Sequence, residues 1–324
     1  MNRILTAAVA ALAFALPTWA NAADGNYPNK PIRIIVPFAA GGPTDVVTRK
    51  VSERLAVKLG QPVIVDNRPG GNTIVGTEAA LNAPADGYTF LVTNTQIVQL
   101  PALMANISYK LDRDFLPVAQ LCGVPLVLTV NSKLPVTDVK SLIKYIQDNP
   151  DKTNYASTGF GGTANIYAEE FARLYGLKAE HIPYKGEAPV IPDFITNRIN
   201  WFFATPSQVY SHIQQGTLRP LAVTGSERLA KLPDVPTMAE VGEKTFVTVG
   251  WFGMFLPAKA PREAADRVSK EVLAILRDDA ELRKFLEDNM FVPKGVGFAE
   301  FSSEISNISA TWTRMIKENN IRIQ

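Results

Sequence analysis

Short apolar runs alternate with longer stretches of helical periodicity along most of the chain. The apolar runs predict strands at residues 32–36, 63–66, 89–92, 154–157, 181–183, 200–203 and 218–223. The periodic stretches predict helices at residues 45–59, 74–82, 139–148, 163–175, 192–197 and 208–214, and a helical tail at 262–277, 280–288 and 298–318. This alternation is typical of βα units, so an α/β fold is predicted.

The segments between these blocks indicate how the chain is divided. The proline-rich stretch after residue 92 is expected to be poor in helix, and residues 226–243 are expected to form a loop. Two apolar connections, near residues 123–130 and 248–256, bracket the middle of the chain. We therefore predict two lobes joined by two crossing strands, with residues 23–125 and 250–324 in the first lobe and residues 126–249 in the second. Each lobe should hold a mainly parallel sheet flanked by helices, with the ligand site in the cleft between them.

The first 22 residues have the composition of an export signal. Arg3 precedes an apolar core at residues 4–16, and Ala20-Asn21-Ala22 is a small-residue cleavage site. The apolar core is too short to span a bilayer. Since the single cysteine, Cys122, lies far from the signal, neither a disulfide nor a lipid-anchored N-terminus is expected. These features predict a periplasmic protein that begins at Ala23 after processing.

The charge balance is close to neutral. The 33 Lys and Arg residues against 31 Asp and Glu residues give a formal charge of +2, which does not indicate a nucleic acid or an anionic membrane as partner. The two histidines, His181 and His212, belong to no cluster with metal-ligand spacing. We expect neither a metal nor a cofactor.

A glycine loop joins the first predicted strand to the first predicted helix. Gly41 and Gly42 let the backbone approach a ligand, Pro43 suits a first helical turn, and Asp45 is placed to cap that turn. Free backbone N–H groups at a helix N-terminus favour a negatively charged group. The junction therefore predicts an anion site, with an ordinary tight turn as an equal alternative.

A second junction of the same kind follows the strand at residues 154–157. It carries glycines and hydroxyls ahead of a helix N-terminus, at Ser157, Thr158, Gly159, Gly162 and Thr163. Two such junctions, one in each lobe, would hold an anion from both sides of a cleft. Either loop alone is explained as well by a tight turn, but the pair behind an export signal favours binding.

Polar residues follow two other predicted strands, at the strand ends where open α/β sheets bind ligands. Thr93, Asn94 and Thr95 suit a neutral polar contact, and turn or cap chemistry is almost as good an explanation. Tyr184 and Lys185 follow the strand at 181–183, and Lys185 could equally be a surface lysine.

Aromatic residues and catalytic patterns give weaker signals. Trp201 and Phe203 are interpreted as core, whereas Trp251, close to two glycines, is a candidate for a pocket wall. An enzyme acting on a small carboxylate would have to use Ser157 or Lys185. No base is expected near either residue, because the histidines are interpreted as structural.

Ten short motifs, in order and at characteristic spacing, resemble one family over nearly the whole mature chain. They are YPNKPI (27–32), VPFAAGG (36–42), GQPV (60–63), NRPG (67–70), DGYT (86–89), NYAS (154–157), IPYKG (182–186), LAVT (221–224), LPDVPT (232–237) and WFG (251–253). The chain resembles the extracytoplasmic solute receptors of tripartite tricarboxylate transporters, often called Bug receptors.

The resemblance implies a two-lobed periplasmic binding protein fold, type II-like, that closes on a small carboxylate and presents it to a membrane permease. It places carboxylate contacts, partly through ordered waters, on the two loops: Phe38, Ala39, Ala40, Gly41 and Gly42 with Asp45, and Ser157, Thr158, Gly159, Gly162 and Thr163. The chain departs from common members at Ala204 and Thr205, where many relatives carry an acidic or amide residue, and at Asn165, often serine or histidine.

We therefore expect a dicarboxylate or an aromatic carboxylate as ligand. The aromatic option depends on Phe38, Tyr184 and Trp251. An α-ammonium group would require a free carboxylate in the cleft, and Asp45 is expected to be occupied as a cap. The expected partners are the organic acid and inner-membrane transporter subunits, with a periplasmic sensor kinase compatible with both, and the receptor is expected to be a monomer.

Overall fold

The computed structural model describes residues 27–150, 152–184 and 186–322. The predicted export signal and Lys185 lie outside these residues. None of the helices in the described part of the chain combines the length and the apolar content needed to cross a membrane.

Six strands form the first sheet, in the spatial order β11, β4, β10, β3, β1, β2. Their bounds are β1 Ile32–Val36, β2 Val63–Asn67, β3 Thr89–Asn94, β4 Phe115–Val124, β10 Gly250–Pro257 and β11 Val292–Gly297. Strand β1 pairs in parallel with β2 and β3, whereas β10 runs antiparallel to β3 and β4, and β11 runs antiparallel to β4. Every apolar residue of β1, which lies between β3 and the edge strand β2, is fully buried.

Five strands form the second sheet, in the order β7, β6, β8, β5, β9. Their bounds are β5 Val127–Asn131, β6 Asn154–Ser157, β7 Glu180–Pro183, β8 Trp201–Ala204 and β9 Leu218–Val223. Strand β6 is parallel to β7 and β8, and β5 is antiparallel to β8 and β9. The prediction of mainly parallel sheets is therefore wrong in this detail: both sheets are mixed, because the strands that carry the chain between the sheets pair antiparallel to their neighbours.

Helices flank both sheets, as the α/β prediction requires. They are α1 Pro43–Leu59, α2 Ile74–Leu81, α3 Gln96–Leu103, α4 Leu111–Asp114, α5 Val139–Asp148, α6 Thr163–Tyr175, α7 Val190–Ile195, α8 Pro206–Gln214, α9 Arg262–Asp278, α10 Ala280–Asp288 and α11 Phe298–Glu318. Helix α1 starts with Pro43 in its first turn and ends at Gly60, whose left-handed φ of 67° lets its N–H reach Ala56 O.

Four elements differ from the sequence prediction: two helices and two strands. The stretch expected to be poor in helix contains α3 and α4, and α3 forms despite Pro101 in its interior. Strands β4 and β11 were not expected, since prolines and glycines interrupt their apolar pattern. Strand β4 is the longest strand of the first sheet, so the sheet is larger than the sequence alone indicated.

Helix α11 contacts elements of both sheets. Near its start, Phe301 packs edge-on against Trp251 of β10, with ring centroids 5.1 Å apart. Near its end, Trp312 lies 5.1 Å from the ring of Tyr167 in α6. Asn319, just after the helix, donates a hydrogen bond of 2.7 Å to the buried Glu170 carboxylate of α6. The C-terminal helix therefore ties the two sheets together.

Candidate functional site

The first loop, residues 37–42, connects β1 to α1. The side chain of Asp45, in the first turn of α1, holds this loop in place. The fully enclosed Asp45 carboxylate accepts hydrogen bonds from Gly41 N (2.8 Å), Arg49 Nε (3.0 Å) and Asn67 Nδ2 (2.9 Å). Burial alone would raise the pKa of Asp45, but these donors together with the positive charge of Arg49 lower the pKa below its usual value. The carboxylate is therefore ionised and occupied, but the expected role as a helix cap is wrong: the N-cap Gly42 has no side-chain cap hydrogen bond, and Asp45 binds Gly41 N in the loop before the helix.

Two further residues shape the first loop. Asn67, at the end of β2, donates a hydrogen bond of 3.0 Å to Phe38 O. Gly76 of α2 packs so closely that a Cβ atom there would lie 2.7 Å from Pro37 Cα. Ala39, Ala40 and Gly41 remain exposed at the tip. The loop thus presents accessible backbone on a rigid support, and its anion-binding role stays a prediction.

The second loop, residues 158–162, connects β6 to α6 and repeats the same construction. Asn165 of α6, fully buried, accepts a hydrogen bond of 2.9 Å from Gly161 N. Ser157 Oγ accepts one of 3.2 Å from Gly159 N, where the chain needs a φ of 130° that only glycine adopts readily. Thr158 is exposed and Gly159, Gly162 and Thr163 are partly exposed.

A histidine lies directly beside Ser157, contrary to the expectation that no base would be near it. His181 Nε2 is 2.6 Å from Ser157 Oγ, and the imidazole stacks on Tyr155 with ring centroids 4.9 Å apart. Burial lowers the pKa of His181 to about 4, so the ring is neutral at pH 7. Ser157 itself is fully buried and also bonded to the backbone of Gly159. This arrangement positions the loop and offers no accessible nucleophile.

The polar triplet after β3 is largely engaged within the protein. Asn94 Oδ1 accepts a hydrogen bond from Gln96 N at 2.9 Å, and Thr95 Oγ1 accepts one from Trp251 N at 2.7 Å. Thr93 is fully buried, and its hydroxyl has no partner among the described residues. The Trp251 side chain is fully buried and packs on Phe301, which favours a packing role over an open pocket wall.

Gln99, which the sequence analysis did not single out, connects the two loop regions. It lies in α3 just after the polar triplet, and its Nε2 donates a hydrogen bond of 3.1 Å to Thr163 Oγ1, in the first turn of α6. Gln99 is fully buried, and its Oε1 has no partner among the described residues. This bond joins α3, which follows β3 of the first sheet, to α6, which follows β6 of the second sheet. The carboxyl ends of β3 and β6 therefore face each other.

A second unexpected residue, Glu187, follows β7, and its carboxylate reaches the end of β8. Its Oε1 accepts a hydrogen bond of 2.6 Å from Thr205 N. Tyr184 occupies the same edge of the second sheet, but its hydroxyl donates to Asp193 Oδ2 at 2.8 Å. Lys185 is outside the described residues. Glu187 is 18 residues from Thr205 along the chain, so no local sequence pattern connects the two residues. Glu187 would have been a candidate only if every residue of the segment after β7 had been assigned to the cleft.

Two mixed α/β sheets whose glycine loops face each other define a two-lobed solute-binding protein. The family model described as "Tripartite tricarboxylate transporter family receptor" matches residues 47–321, and the chain belongs to this family of periplasmic receptors. The family and the α/β fold predicted from the sequence are thereby confirmed.

Individual relatives agree with this assignment. Protein BugT of Bordetella pertussis is 35% identical over 261 residues, which cover 80% of each chain. The structure of R. palustris Rpa4515 with adipate shares 30% identity and a TM-score of 0.83, covering 91% of this chain and 99% of that one. MatC from Rhodopseudomonas palustris with bound malate shares 26% identity and a TM-score of 0.79, covering 90% and 100%.

Proposed function

We propose that this protein is a periplasmic receptor that captures a small organic carboxylate and delivers it to the membrane subunits of a tripartite tricarboxylate-type transporter. The observation that carries the proposal is the pair of glycine loops, each braced by a buried side chain and each followed by a helix N-terminus. Backbone N–H groups at such termini suit a carboxylate. Lobe closure on the ligand would be the mechanical step.

Dicarboxylates are the first class to test, because adipate and malate are bound in the two similar structures. The aromatic carboxylate option is weaker than the sequence indicated. Of its three aromatic residues, Trp251 is buried against Phe301 and the Tyr184 hydroxyl is bonded to Asp193, which leaves Phe38, partly exposed in the first loop.

The finer expectations belong to the same proposal. We propose export with removal of residues 1–22, a monomer, no catalytic activity, and lobe limits at 23–125 with 250–324 and at 126–249. The buried and bonded state of Ser157 supports the absence of catalysis. A sensor protein that reads the loaded receptor is compatible with the proposal, and a pull-down with and without the bound acid tests it.

A ligand screen tests the central proposal. The mature chain is purified and its thermal midpoint is measured with succinate, adipate, malate, benzoate, aspartate and glutamate, followed by calorimetric titration of each stabilising acid. We expect binding of at least one dicarboxylate without product formation. Stabilisation by benzoate but by none of the dicarboxylates, aspartate and glutamate included, would overturn the dicarboxylate choice, and turnover of the bound acid would overturn the receptor function.

A variant of the first loop tests the binding site. Gly42 has a φ of −73°, and a Cβ atom there would lie 3.4 Å from Ala39 O. Gly42→Val should therefore fold but crowd the accessible backbone and abolish binding. Ala310→Val adds a valine at an exposed position of α11 and should bind normally. Normal binding by Gly42→Val would contradict the role of the first loop.

A further inference from the structure

The carboxylate of Glu187 lies close to the second loop. The second sheet has the order β7, β6, β8, so β7 and β8 lie on opposite sides of β6. Glu187 follows β7, yet its carboxylate is bonded to Thr205, directly after β8. The segment that carries it therefore crosses the carboxyl end of β6, where the second loop begins.

Contacts of the loop agree with this position. Tyr184 N donates a hydrogen bond of 2.9 Å to Ser157 O, and a Cβ atom on Gly159 would lie 3.7 Å from Tyr184 O. The segment that leads to Glu187 is thus in direct contact with the second loop. Any ligand held by that loop lies next to this segment.

The Glu187 carboxyl retains acceptor capacity after its contacts with the protein are counted. Thr205 supplies its backbone N–H. An ionised carboxylate has two oxygens with about four acceptor sites. Burial raises the pKa of Glu187 to about 7, against the lowering effect of the Thr205 donors. Glu187 is partly exposed, so a donor on the ligand would replace water at the free acceptor sites of its carboxylate, whereas a bare second carboxylate would meet an acceptor.

We propose that Glu187 is a specificity-determining residue, and that the preferred ligand carries a hydroxyl, amide or ammonium donor in addition to the carboxylate held by the glycine loops. This inference depends on the proposed function and narrows it to substituted acids. Amino acids are then candidate ligands as well, because Glu187 offers the cleft carboxylate that the occupied Asp45 does not.

Matched acids that differ in one group test the inference. Succinate, malate and aspartate share a four-carbon chain and carry hydrogen, hydroxyl or ammonium at one carbon. Benzoate, 4-hydroxybenzoate and 4-aminobenzoate form the aromatic set. Dissociation constants are measured by calorimetry for the wild-type mature chain, for Glu187→Gln and for the control Glu180→Gln. Glu180 starts β7, at the opposite end of the same strand, and is exposed.

In the wild type and in Glu180→Gln, we expect the donor-bearing acid to bind at least tenfold more tightly than its parent acid. Glu187→Gln still accepts from Thr205 N but presents an NH2 group, itself a donor, toward the ligand. Its preference should fall to threefold or less while the parent acid binds as before. If Glu187→Gln does not fold by circular dichroism, Glu187→Asp, which withdraws the carboxylate by one methylene, should lower the same ratio.

The possible failures are distinguishable. If the wild type binds carboxylates without preferring the donor-bearing member, or if the Glu187 variant keeps the preference, the inference is overturned and the proposed function stands. If the wild type binds none of the acids, the proposed function is overturned together with it.

Discussion

Asp45 and Asn165 hold equivalent positions in the two halves of the site. Each is the third residue of the helix that follows a glycine loop, and each accepts a hydrogen bond from the backbone N–H four residues earlier, at 2.8 Å from Gly41 and 2.9 Å from Gly161. Only Asp45 is charged, and only Asp45 is bonded to an arginine. The two loops therefore share one geometry but differ in their electrostatic support.

Replacing Asp45 should lower the free energy of unfolding. Asp45→Ala leaves Gly41 N and Asn67 Nδ2 without their acceptor, and we expect the free energy of unfolding to fall by about 1–3 kcal/mol. Most of this loss comes from the hydrogen bonds, because Arg49 is 46% exposed and its ion pair is screened by solvent. Chemical denaturation measures the change.

The matched control for Asp45 is an exposed pair of the same spacing. Asp148→Ala removes the partner of Lys144 in α5, where both side chains are more than half exposed, and should cost no more than about 0.5 kcal/mol. Because the pKa of Asp45 is lowered on folding, its contribution is complete above the pKa of the unfolded chain and is lost as the pH falls through the folded pKa. Equal losses in the two variants at pH 7 would contradict the supporting role.

The bond between Gln99 and Thr163 should contribute to ligand affinity through lobe closure. A double-mutant cycle with Gln99→Ala and Thr163→Val, read by calorimetric titration of the acid that binds, should give a coupling free energy of about 0.5–1.5 kcal/mol. The control is Gln96→Ala on the same helix, whose backbone N–H and not its side chain makes the contact with Asn94. A coupling of zero would show that the two side chains act independently.

Local rules recovered most of the fold but not the contacts that complete the site. The occupation of the Asp45 carboxylate was predictable because its partner Gly41 is only four residues away. Strand β4 and helix α3 were missed because Pro117 and Pro101 contradict local propensity, and tertiary packing overrides it. The contacts of His181 and Glu187 were not predicted, because their partners are 24 and 18 residues away along the chain. These partners come together only when the parallel strands align.

The partly buried His181 should make stability depend on pH. The pKa of His181 is lowered to about 4 in the folded state, so between the unfolded value near 6.5 and pH 4 the unfolded chain binds more protons. Because the His181 ring is partly exposed, solvent screening reduces the effect, and stability should fall by about 1–3 kcal/mol as the pH drops through this window.

Thermal midpoints at pH 7.0, 5.5 and 4.5 check this expectation. His181→Phe keeps an aromatic ring against Tyr155 and should flatten the pH profile, although loss of the Ser157 contact lowers the midpoint at pH 7. His212→Gln, on α8, should retain the wild-type slope. An unchanged slope in His181→Phe would assign the acid sensitivity to other groups.

Replacing Ser141 should lower stability without changing ligand binding. The pattern Ser141-Leu142-Ile143-Lys144 resembles a catalytic motif, but Ser141 forms a capping box with Asp138 at the start of α5. Ser141 N donates to Asp138 Oδ1 at 2.7 Å, and Ser141 Oγ accepts from Asp138 N at 3.0 Å. Ser141→Ala should lower the free energy of unfolding by about 0.5–1 kcal/mol and leave ligand affinity unchanged. A change in affinity would point to a role beyond capping.

Helix α11 makes the folding of the two halves interdependent. Its 21 residues supply Phe301 to the core beside β10 and Trp312 to the core beside α6. When either half unfolds, α11 also loses its packing against the other half. Partial unfolding therefore exposes apolar surface of both halves but gains the conformational entropy of only one. The chain should therefore melt in one cooperative transition, and a fragment that ends before residue 298 should not retain a stable half.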